Sequence, residues 1–292
     1  MKDINILICG LGRMGRVHEK YINEGNLNYY WYDPFLRKKD DRRIESLEDI
    51  KSLKITHAII STPEGTHYPV YKSIRDISKN IKILVEKPAV IEKDNFEIFK
   101  DRNVFVGLVE RFNPAIKKLK SIIDKDLVLN IDFVRCSISQ SSNQRVNSFT
   151  DVGIHDIDLM FYLLESQVSD YRVDHISNTF SLITNHAQTG AMCRFLWSNE
   201  TFSKERKIIV RQKNCTYEAD LIDQTVKKYS SAASVTLTNI NGTISENLYV
   251  EKSSSIKEQL KNFICENSFS VKGENSHSFY LSVKDFIERI RI

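Results

Sequence analysis

Residues 4–18 read INILICGLGRMGRVH, and this stretch decides the fold. Ile4 to Cys9 is an unbroken apolar run without alternation, the pattern of a strand buried on both faces of a parallel sheet. Gly10, Gly12 and Gly15 follow in G-x-G-x-x-G spacing. Gly10 allows a tight turn, Gly12 lets a pyrophosphate approach the backbone, and Gly15 lets the next helix pack close to the strand. That helix, with Arg13 and Met14 at its start and running to about Glu24, aims its first amides at the phosphates. Leu27 to Tyr32 reads as a second strand. Asp33 ends it, eighteen residues past Gly15, where a carboxylate accepts hydrogen bonds from an adenosine ribose and repels a 2′-phosphate. NAD is therefore the expected cofactor. Arg37, Lys38 and Lys39 keep NADP as the lesser alternative. The competing reading is a glycine turn in another α/β protein, with Asp33 a turn residue before Pro34.

Further strands are expected at Thr56–Ser61, Ile81–Glu86 and Val104–Gly107. Short helices lie between them, one entered through Ser46 and one over Tyr68–Ser78. Strands alternating with helices give βαβ units, so residues 1–110 read as a Rossmann-type parallel domain. Ligands of such sheets bind beyond the carboxyl ends of the strands. The candidates there are Gly10, Asp33, Ser61, Thr62 and the Glu86-Lys87 pair. Lys87 is placed to hold a substrate hydroxyl. His67 either joins this site or only lines its loop.

Residues 111–292 read as a second domain for substrate and oligomerisation. A helix over 115–123 opens it, and 138–150 is a polar segment holding Arg145, either a substrate loop or a solvated connection. In DVGIHDIDLMFYLL, residues 151–164, helical spacing sets Asp151, His155 and Asp158 on one face. From about Asp170 to Glu251, strand-like runs succeed one another without helices, the signature of an open, mainly antiparallel sheet. Helical segments near 254–266 and 276–290 close the chain.

Composition is that of a globular protein, 41% apolar and 27% charged, and a mixed-sign net charge of +4 does not suggest nucleic acid. No apolar run is long enough for a membrane span, and the chain enters a strand at once, so neither membrane attachment nor a signal peptide is expected. The five cysteines form no C-x-x-C, so no zinc site or disulfide framework is indicated. A cytoplasmic protein without a metal is expected.

The G-L-G-R-M-G run, S-T-P-x-x-x-H at 61–67 and V-E-K-P at 85–88 resemble the glucose–fructose oxidoreductase and inositol dehydrogenase family (Gfo/Idh/MocA). The resemblance implies an NAD(P)-dependent oxidoreductase acting on CH–OH groups, with the lysine of Glu-Lys-Pro, here Lys87, in the catalytic site. It implies that Asp151 and His155 form the family's D-x-x-x-H pair facing the nicotinamide. It also places Arg111 and Asn113, in GLVERFNP, where members often contact substrate. Within the family, VERFNPA at 109–115, 151–163, Trp197–Lys207 and DLIDQ at 220–224 most resemble UDP-N-acetylglucosamine 3-dehydrogenases, although the 138–150 loop departs from theirs. It further implies a homodimer or homotetramer built through the C-terminal sheet, and a last helix packed back on the first domain.

Oxidising a secondary alcohol requires a hydride acceptor and a group that takes the hydroxyl proton. His155 suits the proton, Asp151 could orient it, and Lys87 would stabilise the developing alkoxide. A cleft between the domains is the expected substrate site. The alternatives are a free-sugar or cyclitol dehydrogenase, a ketone reductase, and a non-catalytic NAD-binding regulator on the same fold.

Overall fold

The computed structural model describes residues 4–89, 98, 101–138, 153–231, 243–265, 285–287 and 289. Contacts sort the chain into two units, Met1–Val109 with Ile256–His277 and Glu110–Ser255 with Ser278–Ile292.

The first unit is a parallel sheet of five strands: β1 (Asn5–Cys9), β2 (Asn28–Tyr32), β3 (His57–Ile60), β4 (Lys82–Val85) and β5 (Val104–Val106). They lie in the order β2-β1-β3-β4-β5, all parallel, so the order reverses between β1 and β3. Helix α1 (Arg13–Glu24) starts directly after Gly12 and contains Gly15, and α2 (His67–Ile77) links β3 to β4. Ser46 does start a turn, its Oγ accepting from the Glu48 N–H, but the turn is a single 3₁₀ stretch, Leu47–Ile50. β1, β3 and β4 are apolar along most of their length because helices or chain cover both faces, and Ile6, Leu7, Ile8, Ile59, Leu84 and Val85 are buried.

The sequence placed the final helix against the first domain. The helix that packs there is the one before it, which ends at Cys265: Leu260, Phe263 and Ile264, at i, i+3 and i+4, join the core of Ile6, Ile8, Trp31, Leu84 and Phe105. Phe263 meets Phe105 and His57 edge-on, each at 5.2 Å between centroids. Phe286, near the end of the chain, instead lies edge-on to Phe161 and Tyr171 of the second unit.

The second unit opens with α3 (Pro114–Ile122) and β6 (Val128–Ile138), followed by α4 (Gly153–Leu164). β7 (Val168–Ile176), β8 (Thr179–His186), β9 (Met192–Ser198), β10 (Glu200–Gln212), β11 (Cys215–Asp220), β12 (Thr225–Ser231) and β13 (Thr243–Leu248) complete it before α5 (Ser255–Cys265). The eight strands run β13-β12-β11-β10-β6-β9-β8-β7, antiparallel except for β6 beside β9. On the face toward α4, Phe133 stacks on Phe195 at 4.6 Å and Phe195 leans on Trp197. Gly153 starts α4 directly over Trp197, where a Cβ would come within 3.3 Å of the indole.

Candidate functional site

In the first unit the site residues gather at the carboxyl ends of the strands, at the reversal between β1 and β3. The three glycines do different work there. Gly10 has φ +87° and lies so close to the Thr62 backbone that a Cβ would sit 2.8 Å away. Gly15 presses on the same loop, with a Cβ position 2.0 Å from the Gly10 carbonyl oxygen. Gly12 has nothing within 4 Å of its Cβ position. It is the N-cap of α1, contributes no side-chain cap, and is followed by no acid in the first turn. Arg13 is exposed and Met14 half-buried at that turn. A bare approach to uncapped amides is what a phosphate group requires.

Around the glycine loop, Asp33 accepts from the Leu11 N–H through Oδ2 at 3.0 Å, and from the Phe35 and Leu36 N–H groups through Oδ1 at 3.0 and 3.2 Å. It therefore ties the loop after β1 to the turn after β2, and a carboxylate has about four acceptor positions, so capacity for a ribose hydroxyl remains. Arg37, Lys38 and Lys39 are exposed beyond it. Ser61 Oγ donates to the Gly10 carbonyl at 2.8 Å, with Cys9 O at 3.2 Å. Thr62 Oγ1 is buried without a hydrogen-bond partner among the described residues. The open glycine, the uncapped helix and this orphaned hydroxyl fit a dinucleotide.

Two residues of this group face inward. His67 is buried, with Nε2 2.8 Å from Thr62 O and Nδ1 3.0 Å from Pro88 O. It straps the loop after β3 to the one after β4. Glu86 is buried with Oε1 2.7 Å from His18 Nε2, a partner on α1 that sequence reading did not single out. Lys87 follows, half-buried, at a cis peptide bond to Pro88.

In the second unit α4 is buried along its length except at His155, which is half-buried. Helical spacing grouped Asp158 with His155, but Asp158 is buried in a bidentate pair with Arg111: Nε to Oδ2 at 2.8 Å and Nη2 to Oδ1 at 2.5 Å. Burial pushes the Asp158 carboxyl upward, against the pull of Arg111. Arg111 is 1% exposed, and its guanidinium lies 5.1 Å from the Tyr162 ring centre. Asn113 is buried as the cap of α3; Oδ1 accepts from the Ala115 N–H at 3.0 Å and Nδ2 donates to Leu221 O at 3.0 Å. Both residues are buried, and each polar head is bonded to a buried partner. Asp151 and Arg145 lie outside the described residues.

Sequence reading missed a second buried network beside the first. Arg135 Nη2 donates to Asp156 Oδ1 at 2.8 Å and Nη1 to Glu110 Oε1 at 3.1 Å, and Trp197 Nε1 donates to Asp156 Oδ2 at 2.8 Å. Arg206 reaches the same Glu110 oxygen at 3.4 Å. Burial alone would lower the Arg135 pKa, but Asp156 and Glu110 outweigh it and drive it up. The available signal was Asp156 and Asp158 within IHDIDLMFYLL: acids in so apolar a helix demand buried cationic partners.

Among the described residues no group of three His, Cys, Asp or Glu side chains is placed to hold a metal, and no helix is long and apolar enough to cross a membrane. All five cysteines are unpaired thiols.

This architecture joins a Rossmann-type parallel sheet to a mainly antiparallel eight-stranded sheet. No family model matches the chain. It is 25% identical over 203 residues to the rhizopine catabolism protein MocA of Rhizobium meliloti, covering 62% of this chain and 63% of that protein. It is 23% identical over 196 residues to glucose-6-phosphate 3-dehydrogenase of Bacillus subtilis (strain 168), covering 57% and 55%. The match thus spans less than two thirds of either relative. Among solved structures, UDP-N-acetylglucosamine 3-dehydrogenase GnnA from Acidithiobacillus ferrooxidans shares the fold with TM-score 0.86 at 16% identity, over 100% of this chain and 97% of that one. A super-repressor mutant of Gal80p from Saccharomyces cerevisiae shares it with TM-score 0.76 at 16% identity, over 98% and 95%. These likenesses are consistent with the resemblance of the sequence to the Gfo/Idh/MocA family.

Proposed function

We propose that this protein is an NAD-dependent oxidoreductase acting on a secondary alcohol of a sugar or nucleotide sugar, with C3 of UDP-N-acetylglucosamine or a related UDP sugar as the leading candidate. The observation that carries the reading is the bare Gly12 at an uncapped helix start, in the crevice of a parallel sheet whose β4 runs out into Lys87. C3 chemistry is supported by the names of two similar proteins, both 3-dehydrogenases of sugar derivatives.

Gly10, Gly12, Arg13, Met14 and Gly15 would cradle the pyrophosphate, Asp33 would take a ribose hydroxyl, and Ser61 and Thr62 would line the nicotinamide half. Bound NAD supplies the hydride acceptor. Lys87 donates a hydrogen bond to the reacting oxygen and stabilises alkoxide charge. His155 takes the proton, its imidazole being the side chain suited to that transfer near neutral pH. Asp151 orients His155. The ordinary choice between the cofactors follows from Asp33, while Arg37, Lys38 and Lys39 are the residues an NADP preference would use.

The test is NADH formation with UDP-N-acetylglucosamine, UDP-glucose, glucose 6-phosphate, glucose and myo-inositol, with an amine-transfer coupling to draw off ketone. Lys87→Ala and His155→Ala each abolish turnover while NAD affinity stays within about threefold, since neither contributes uniform binding. Unchanged turnover in either variant removes this mechanism. NADH with a free sugar or cyclitol moves the assignment to that class. NAD binding without turnover of any sugar favours a non-catalytic regulator, a reading that the Gal80p fold match keeps in view.

The proposal extends to a homodimer or homotetramer through the outer face of the eight-stranded sheet. That face carries the exposed Leu129 and Leu196 and an Arg194–Asp132–Arg211 cluster. Light scattering on the purified protein tests it, a monomer at micromolar concentration being the contrary result.

A further inference from the structure

We infer that His18 is a positioning residue, whose hydrogen bond to Glu86 sets the place of Lys87 relative to the glycine-loop helix. The inference rests on the role proposed above for Lys87.

His18 lies on α1, one turn past Gly15, and is 0% exposed. Glu86 is 8% exposed and is the last residue before Lys87. Their side chains meet at 2.7 Å, and Gly107, at the end of β5, leaves the room: a Cβ there would lie 3.0 Å from Glu86 Oε2. Three elements therefore close around one carboxylate. The backbone of Glu86 is fixed to the sheet by its N–H bond to Ile60 O at 2.9 Å. Its side chain adds a link to α1, the helix whose first turn faces the pyrophosphate position.

The pair is not explained by packing. Apolar side chains of similar volume stabilise a buried site as well as or better than a polar pair. His18 also keeps a buried Nδ1 with no partner among the described residues, which is costly. What the pair adds over apolar contact is direction: one N–H from the helix, held on Nε2 by this geometry, aimed at one oxygen from the strand end.

The test compares His18→Gln, whose amide nitrogen reaches the Nε2 position, with His18→Leu, which preserves bulk and removes the donor. Four readouts are taken: kcat and KM on the sugar panel, the NAD dissociation constant, thermal unfolding, and the rate at which acetic anhydride labels Lys87, read by peptide mass spectrometry. Expected for His18→Leu is a kcat loss of about 30-fold with NAD affinity within about threefold, and a labelling rate at Lys87 changed by about threefold or more; His18→Gln returns each to within about fivefold of the wild type. A packing role predicts the reverse ranking, leucine better than glutamine, and that result overturns the inference. So does an unaltered kcat in His18→Leu. Should His18→Leu fail to fold, His18→Asn, polar but too short to reach Glu86, takes its place with the same expectations. If the wild type oxidises no sugar, the dehydrogenase reading fails, and Lys87 labelling alone decides: altered in leucine and restored in glutamine supports the link, equal in all three refutes it.

Discussion

At the strand ends of the first unit the candidate site is drawn mainly by backbone, whereas around α4 it is drawn by buried charge. Gly10, Gly12 and Gly15 shape a loop whose chemistry is N–H groups and space, and Asp33 and Ser61 serve it by bonding to main-chain atoms. Helix α4 is held by side chains from distant parts of its unit: Arg111 on Asp158, and Arg135 with Trp197 on Asp156. Both acids, Asp156 and Asp158, follow His155 closely in sequence, and their pairs fix the helix that carries it. Backbone-built sites tolerate side-chain change except at glycine, while a site held by buried ion pairs fails when one partner is lost.

That contrast can be broken experimentally. The largest effect is expected for Asp158→Ala, which leaves Arg111 buried without its counter-charge and should cost about 4 kcal/mol in denaturant unfolding. Replacing both partners, Arg111→Met with Asp158→Leu, should recover most of that loss. Next is Gly15→Ala, whose methyl would lie 2.0 Å from the Gly10 oxygen; a loss of about 3 kcal/mol is expected in the same measurement.

The pH dependence of unfolding comes third. His57 has its pKa lowered from 6.5 to about 4 by burial, with Lys82 adding to the effect. His186 is also lowered from 6.5 to about 4, by burial against an opposing backbone hydrogen bond at Ser166. Above pH 6.5 both states are neutral at these positions and nothing is gained or lost. As pH falls from about 6.5 to about 4 the unfolded chain takes up protons first, so stability falls by up to about 3 kcal/mol per histidine, then levels off. His57→Phe should remove its share of the slope, because the ring already packs edge-on against Phe263.

Asn113→Ala should cost about 1 kcal/mol through the lost cap of α3, with the unpaired Leu221 carbonyl adding to it. The smallest effect on folding is expected at Gly12→Ala, within about 0.5 kcal/mol because a methyl there meets nothing. The same variant should weaken NAD binding at least about tenfold in a fluorescence titration, because the methyl stands where the pyrophosphate would approach the backbone. Gly15 and Gly12 thus separate what the loop does for the fold from what it does for a ligand.

How much could be read from sequence differs between the units for the same reason. The glycine spacing, the apolar runs of β1, β3 and β4, and the βαβ alternation are local patterns, and they established the parallel domain, the strand ends and the positions of Gly12, Asp33 and Lys87. The long succession of strand-like runs likewise established the mainly antiparallel second sheet. Helical periodicity was less informative at α4: it grouped Asp158 with His155, yet could not say that Arg111, 47 residues away, would claim Asp158. Nor could it show that Asn113 would turn inward to cap α3, that His67 would bridge two loops, or that His18 would meet Glu86 across 68 residues.

The sequence by itself determined the fold class and the strand ends at which Gly12, Asp33 and Lys87 lie, because glycine spacing and hydrophobic period act over a few residues. Only the tertiary structure decided which polar groups pair with each other. Hydrogen bonds and ion pairs form between whatever residues the fold brings within about 3 Å, and sequence separation carries no information about that distance.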